Sequence, residues 1–381
     1  MMDLRGTTAI VGIGESELGA SPAGTRPEDL MTQAAARALS DAGLTPRDVD
    51  GIFAASGQLL MAPLYLSQSL GIEARYLDGT NIGGSSFMTH VNHARAAIAA
   101  GACDVALVAY GSTARLDRFG GVPEVPAWEK PYQTMEPLAS YAFAASRHMH
   151  QYGTTREQLA SVAVAAREWA KLTPGAWSRE NLTISDVLDS RMVSDPLTVR
   201  DCCLVTDGGA AVVITSAKAA KDLPNPPALI LGTGEAASHL FISGMPDLTQ
   251  TAARESGAQA FTQARLSPAD IDCAQLYDAF TITPILFLED LGFCKKGEGG
   301  AFFAEGSTRP GGEMPINTNG GGMSYGHPGM YGLFGIVEAV RQLRGQEGER
   351  QVPDCHVALA HGNGGLLSSQ ATVILGSQDV L

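Results

Sequence analysis

Residues 317 to 335 read N-T-N-G-G-G-M-S-Y-G-H-P-G-M-Y-G-L-F-G, a triple glycine followed by a histidine set between glycine and proline. Glycine triplets let the backbone turn tightly, and the spacing of Leu333, Ile336, Val337, Val340 and Leu343 beyond them predicts an amphipathic helix. His327 is thereby expected at the mouth of that helix. The positive end of the helix dipole disfavours an imidazolium there and leaves a neutral ring that can give or take one proton near neutral pH, which suits acid–base or oxyanion chemistry. A histidine that only closes a turn is the alternative. Three more glycine-rich turns with polar side chains favour chemistry: T-N-I-G-G-S-S-F at 80 to 87, D-C-C-L-V-T-D-G-G-A-A at 201 to 211 and H-G-N-G-G at 361 to 365.

Turns of this kind need a scaffold, and 381 residues with 45% hydrophobic and 17% charged composition can bury a large core. The 44 glycines gather at the ends of apolar runs, as turns and points of close backbone approach. A formal net charge of −14 argues against a sequence-independent nucleic-acid partner and leaves room for a local basic patch facing a phosphorylated ligand. The six cysteines show no C-x-x-C pair, and the start M-M-D-L-R lacks a signal-peptide pattern, so reduced thiols and a cytoplasmic location are expected. The most apolar segment, 96 to 109, is interrupted by Gly101 and Asp104 and is too short to span a bilayer. The eight histidines are scattered without metal-ligand spacing, and no metal is expected.

The order of elements repeats. Residues 7 to 13 read as a strand and 28 to 42 as a helix capped by Gly43, followed by Leu44-Thr45-Pro46-Arg47-Asp48-Val49-Asp50 and a strand from Ile52 to Ala55. A helix over 250 to 264 and Leu266-Ser267-Pro268-Ala269-Asp270-Ile271-Asp272 repeat that pattern. Cys103-Asp104-Val105-Ala106-Leu107 returns as Cys355-His356-Val357-Ala358-Leu359, and Ala211-Val212-Val213-Ile214 as Ala371-Thr372-Val373-Ile374. Three correspondences in one order imply an internal duplication of mixed sheets covered by helices. The expected boundaries are 1–112 with 206–222 for the first half and 223–381 for the second, with a helical insertion, 113–205, expected to shape a substrate site, a mere covering flap being the alternative. Thr154 and Glu157 read as a capping box before the insertion helix over 159 to 172.

A duplicated α/β chain with G-H-P-G near its end, Y-D-A-F at 277 to 280, the 201 to 211 motif and H-G-N-G-G resembles the thiolase superfamily over its whole length. It is most similar to the lipid-transfer or sterol-carrier-protein type. The resemblance implies the thiolase fold, two duplicated halves in a five-layered α-β-α-β-α arrangement, with homodimerisation, an acyl-CoA substrate and a site where the halves meet. Gly84 stands where the family carries its nucleophilic cysteine, and Ala279 where the lipid-transfer branch carries an acid–base cysteine, with Tyr277 replacing that motif's histidine. Without either thiol the usual two-step acyl transfer has no nucleophile.

A cradle for a thioester enolate survives. His327 and the backbone N–H groups of Gly362, Asn363, Gly364 and Gly365 are candidates to bind the thioester oxygen, with Gly84 and Ser85 as a second set at a helix terminus. Tyr277 is the first candidate for proton transfer and Tyr325, beside His327, the second. His361 is a third, or else a pin for the last glycine turn, and Asp278 is expected to point away in a structural role. Lost cysteines with a Y-D-A-F tyrosine are similar to the thiolase-like aldolases that cleave steroid side chains, splitting a β-hydroxyacyl-CoA into a ketone and a shorter acyl-CoA. That likeness implies no cofactor beyond the coenzyme A of the substrate, and a small OB-fold, zinc-ribbon acyl-CoA-binding partner protein. The competing readings are an acyltransferase using Ser85 or Ser86, and a non-catalytic acyl-CoA-binding subunit.

Overall fold

Two arms of one sheet organise the chain in a computed structural model that describes residues 3–118 and 125–380; the termini and 119–124 of the insertion lie outside the described residues. The first arm holds β1 (Thr8–Glu15), β2 (Gly51–Ala54), β3 (Tyr76–Asp78), β4 (Val105–Ser112) and, past a small hairpin of β5 (Met192–Ser194) and β6 (Leu197–Thr198), β7 (Gly208–Ser216). The second arm holds β8 (Ala228–Ala237), β9 (Cys273–Leu276), β10 (Val357–Gly364) and β11 (Ser369–Gly376). The strand order is β3-β2-β4-β7-β1-β8-β11-β10-β9. β1 joins β8 only through Ala9 opposite Leu229 and Ile10 opposite Ala228. Outward from that joint both arms run antiparallel, antiparallel, parallel, so β1, β7, β4 and β2 correspond to β8, β11, β10 and β9.

The helices are α1 (Pro27–Ala42), α2 (Ala62–Leu70), α3 (Ser86–Ala99), α4 (Leu138–Tyr152), α5 (Arg156–Lys171), α6 (Ile184–Leu188), α7 (Ala253–Ala264), α8 (Ile282–Asp290), α9 (Gly299–Ala304) and α10 (Gly332–Leu343). α1 packs on β1, β4 and β7, and α7 on β8 and β11, while α3 and α10 touch each other and strands of both arms. That is the five-layered α-β-α-β-α arrangement, with α3 and α10 as its middle layer. Close approach of the outer helices depends on glycine. A Cβ on Gly12 or Gly14 would lie 2.2 or 2.4 Å from a carbonyl of α1, and one on Gly232 or Gly234 would lie 2.1 or 2.0 Å from a carbonyl of α7.

The repeated T/S-P-x-D turns are single 3-10 turns with matching capping boxes. The aspartate two residues beyond does the same work in each arm. Asp50 accepts from the Asp104 and Val105 N–H groups (both 2.9 Å), and Asp272 from those of His356 and Val357 (both 2.8 Å), so each carboxylate starts the strand that leads towards a glycine turn.

The insertion between β4 and β7 carries α4 to α6 and the hairpin. Its capping box lies one residue later than the sequence pattern suggests. Thr155 caps α5 reciprocally with Gln158, because Thr154 is taken by His148 Nδ1 at 2.7 Å, and His148 Nε2 in turn meets Glu289 of α8 at 3.0 Å. Among the described residues no helix is long and apolar enough to cross a membrane.

Candidate active site

Tyr277 directly follows β9, at the end of a parallel strand pair where side chains emerge towards the middle layer. Its N–H donates to the His361 carbonyl (3.1 Å), and Thr283 Oγ1 donates to its carbonyl (2.9 Å), fixing the turn into α8. His327 arrives from the other side, at the end of a π turn over Gly321–Tyr325. Asp278 builds that turn by accepting from Gly322 N–H (2.6 Å) and Met323 N–H (3.1 Å), so the residue beside Tyr277 holds the loop that delivers His327. Thr206 completes the seat, accepting from His327 N–H (3.0 Å) and donating its own N–H to the His327 carbonyl (3.2 Å).

The outcome is a hydrogen bond between Tyr277 Oη and His327 Nε2 at 3.0 Å. A second group reaches the same oxygen: the Tyr331 N–H donates to it at 3.1 Å. The Tyr331 ring stacks on His327 and stands edge-on to Tyr277, while its hydroxyl donates to Asn319 Oδ1 at 3.0 Å. Burial pushes the His327 pKa down to about 4, so its ring is neutral at pH 7. The expected helix dipole is not the cause, since α10 begins only at Gly332, five residues on. Burial also holds the Tyr277 phenol well above its ordinary value, opposed by the Tyr331 N–H. A neutral phenol bonded to a neutral imidazole can give up or take back a proton without leaving a lone buried charge.

Gly84 faces this pair. A Cβ there would fall 2.3 Å from Tyr277 Cε2, 2.7 Å from Cζ and 2.7 Å from the Asn363 carbonyl oxygen, so the tyrosine ring fills the space a side chain at 84 would need. Gly362 and Gly364 have a similar packing reason. Their Cβ positions are occupied by Met88 Sδ (2.6 Å) and the Ile82 carbonyl (1.8 Å), which lets β10 lie against the turn that opens α3. Gly365, at φ 65°, turns the chain after β10 and accepts from the Tyr141 hydroxyl (3.2 Å).

The other candidates sit apart from the Tyr277–His327 pair. The Tyr325 hydroxyl donates to Glu15 Oε2 (2.8 Å), a carboxylate also held by Arg341, and so faces away from it. His361 has both nitrogens engaged, Nδ1 by Thr372 Oγ1 (2.9 Å) and Nε2 by Gln370 Oε1 (3.0 Å), with its ring against Phe287. Its contribution to the site is the carbonyl that holds Tyr277. Gln370 continues to Asn363, whose amide donates to Tyr141 Oη (2.8 Å). Ser85 Oγ pairs with the Ile82 carbonyl (3.2 Å) and Ser369 Oγ (3.0 Å), and Ser86 Oγ accepts from Ile82 N–H (2.9 Å); neither is bonded to His327. Tyr331 and Thr206 are the residues that sequence reasoning missed, although both lie inside the glycine-rich motifs that it singled out. A surface cavity of about 270 Å³ lined by Arg344, Gln351, His356 and Asp379 includes none of these groups.

Five layers with a site where the two halves meet define a thiolase fold, and comparison with known proteins agrees. The thiolase C-terminal domain-like family matches residues 234–377. The chain is 34% identical to a steroid side-chain-cleaving aldolase of Thermomonospora curvata, over 96% of this chain and 97% of that one. It is 33% identical to an acetyl-CoA acetyltransferase of Methanothermobacter thermautotrophicus, over 94% and 96%. The solved structure titled Ltp2-ChsH2(DUF35) aldolase superposes with a TM-score of 0.90 at 33% identity, covering 98% of each chain. The chain belongs to the thiolase superfamily.

Proposed function

We propose that the chain is a thiolase-like retro-aldolase that cleaves a β-hydroxyacyl-CoA, of the kind formed on a steroid side chain, into a ketone and a shorter acyl-CoA. The observation that carries this reading is the Tyr277–His327 hydrogen bond standing in the space of an acyl-accepting side chain. The β-hydroxyl proton passes to that pair and the bond between the α and β carbons breaks. Its electrons form the thioester enolate, and the pair returns a proton to the α carbon. The backbone N–H groups of 84–85 and 362–365 are the proposed oxyanion donors. Val205, next to Thr206, and Trp177, whose backbone N–H donates to the Tyr325 carbonyl, are exposed apolar side chains beside the segments that seat His327, and they are the proposed apolar lining of the approach to it, in keeping with an apolar acyl group.

The insertion shapes that approach, with Tyr141 of α4 set against Asn363 and Gly365. No cofactor beyond the substrate's coenzyme A is required. Homodimerisation is supported by β3, an edge strand, and by exposed Leu60, Met61, Leu64, Tyr65, Leu77 and Ile82 around it. The name of the similar aldolase structure includes a DUF35 protein, which supports a partner here of the small OB-fold, zinc-ribbon, acyl-CoA-binding kind. Six free cysteines fit a cytoplasmic setting. The acyltransferase reading is weakened because the Ser85 and Ser86 hydroxyls are bonded away from His327.

The test is incubation of the purified chain, with and without a DUF35-type partner, with β-hydroxyacyl-CoA substrates, following ketone and the shortened acyl-CoA. Release of both is expected. A covalent acyl adduct by intact mass would turn the assignment to acyl transfer, and no ketone from any substrate would turn it to a non-catalytic acyl-CoA-binding subunit.

A further inference from the structure

The geometry points to Gly84 as a positioning residue whose missing side chain sets the Tyr277 ring, so that a side chain at 84 and a working Tyr277 exclude each other. This rests on the retro-aldolase reading for its kinetic arm alone.

Gly84 is buried, and its φ lies outside the left-handed region, so backbone conformation does not demand glycine there. Space does. Two ring carbons of Tyr277 lie 2.3 and 2.7 Å from where a Cβ would be, closer than any real Cβ contact, and the Asn363 carbonyl lies at 2.7 Å. The ring has little freedom to retreat. Its hydroxyl is fixed by His327 and by Tyr331 N–H, its backbone by His361 and Thr283, and its edge by the Tyr331 ring. A methyl group at 84 therefore moves the hydroxyl off His327 Nε2 or strains the turn that opens α3. The absence of a nucleophile at 84 and the presence of a phenol at 277 are thus one structural fact, 193 residues apart in sequence.

The test is a set of variants of the full chain: Gly84→Ala, alone and combined with Tyr277→Phe or Tyr277→Ala. Tyr277→Phe keeps the ring and removes the hydroxyl, while Tyr277→Ala removes the ring. Gly84→Ala alone should lower kcat by about 10²-fold, the effect of a misplaced group, with little change in KM. In the Tyr277→Phe background its further loss of kcat should be much smaller, because the hydroxyl it displaces is already gone. The thermal midpoint should fall on Gly84→Ala in both the wild type and Tyr277→Phe, and fall much less in Tyr277→Ala, where only the Asn363 carbonyl remains in the way. Should Gly84→Ala fail to fold, folding of Gly84→Ala with Tyr277→Ala supports the assignment and its failure overturns it. Equal losses of midpoint in all backgrounds, or an equal kcat loss with and without the Tyr277 hydroxyl, would assign Gly84 to something other than Tyr277. The melting arms need no turnover, so they stand even where the wild type releases no ketone.

Discussion

A buried imidazole that stays neutral at pH 7 lets Tyr277 and His327 share a hydrogen bond with no charge on either group at rest. The His327 pKa is pushed down to about 4 from an ordinary 6.5, and the unfolded chain recovers the ordinary value. The stability from the neutral ring is therefore present above pH 6.5 and is lost as pH falls from 6.5 towards 4. An NMR titration of histidine-labelled protein should show no change at the His327 ring between pH 7.5 and 5.5; a midpoint near 6.5 would mean that the ring is solvated and the pair is open. Single residues were the hardest scale to read from sequence. Tyr325 is two positions from His327 and Tyr331 four, yet the fold reverses their order of approach, because the π turn directs Tyr325 onto Glu15 while the chain past Gly329 brings Tyr331 back over His327. His361 heads the H-G-N-G-G motif, but its pairing with Thr372 is set by cross-strand register, which composition does not reveal.

At the scale of elements, the π turn is the joint on which the site depends, and Asp278 is its fastener. Removing both acceptors with Asp278→Ala leaves two buried N–H groups without partners, at about 1 to 3 kcal/mol each. Urea unfolding should register a loss of about 2 to 5 kcal/mol, with Asp278→Asn, which keeps one acceptor oxygen, losing less. A change within error for Asp278→Ala would show that the turn holds without it. A structural role for Asp278 was expected from strand alternation, but β9 ends at Leu276 and both Tyr277 and Asp278 lie beyond it; the partners of Asp278 were not legible, since they lie 44 and 45 residues downstream. Helix and strand positions were readable wherever glycine and proline punctuate apolar runs, as in α1, capped by Gly43, and in α10. The α5 cap was misplaced by one residue because two threonines stand side by side, and a histidine in another helix decides which of them is free to cap.

For the whole molecule, the repeated Asp50 and Asp272 strand starters and the mirrored strand order explain why short sequence echoes were enough to read the plan. The same plan leaves β3 as an open edge beside an apolar surface, and light scattering should find a homodimer at micromolar concentration; a stable monomer there would contradict that assembly. The central claim concerns what the molecule does with Tyr277, and the measurement that meets it most directly is ketone release from a β-hydroxyacyl-CoA by the wild type, Tyr277→Phe, His327→Ala and the double variant, with a DUF35-type partner present. Tyr277→Phe keeps the ring in place and should leave KM little changed while kcat falls by about 10² to 10⁴, the range for losing a general acid or base. His327→Ala should lower kcat as well, and the two losses should be less than additive because the hydrogen bond makes the groups one unit. Wild-type turnover by Tyr277→Phe would contradict the account.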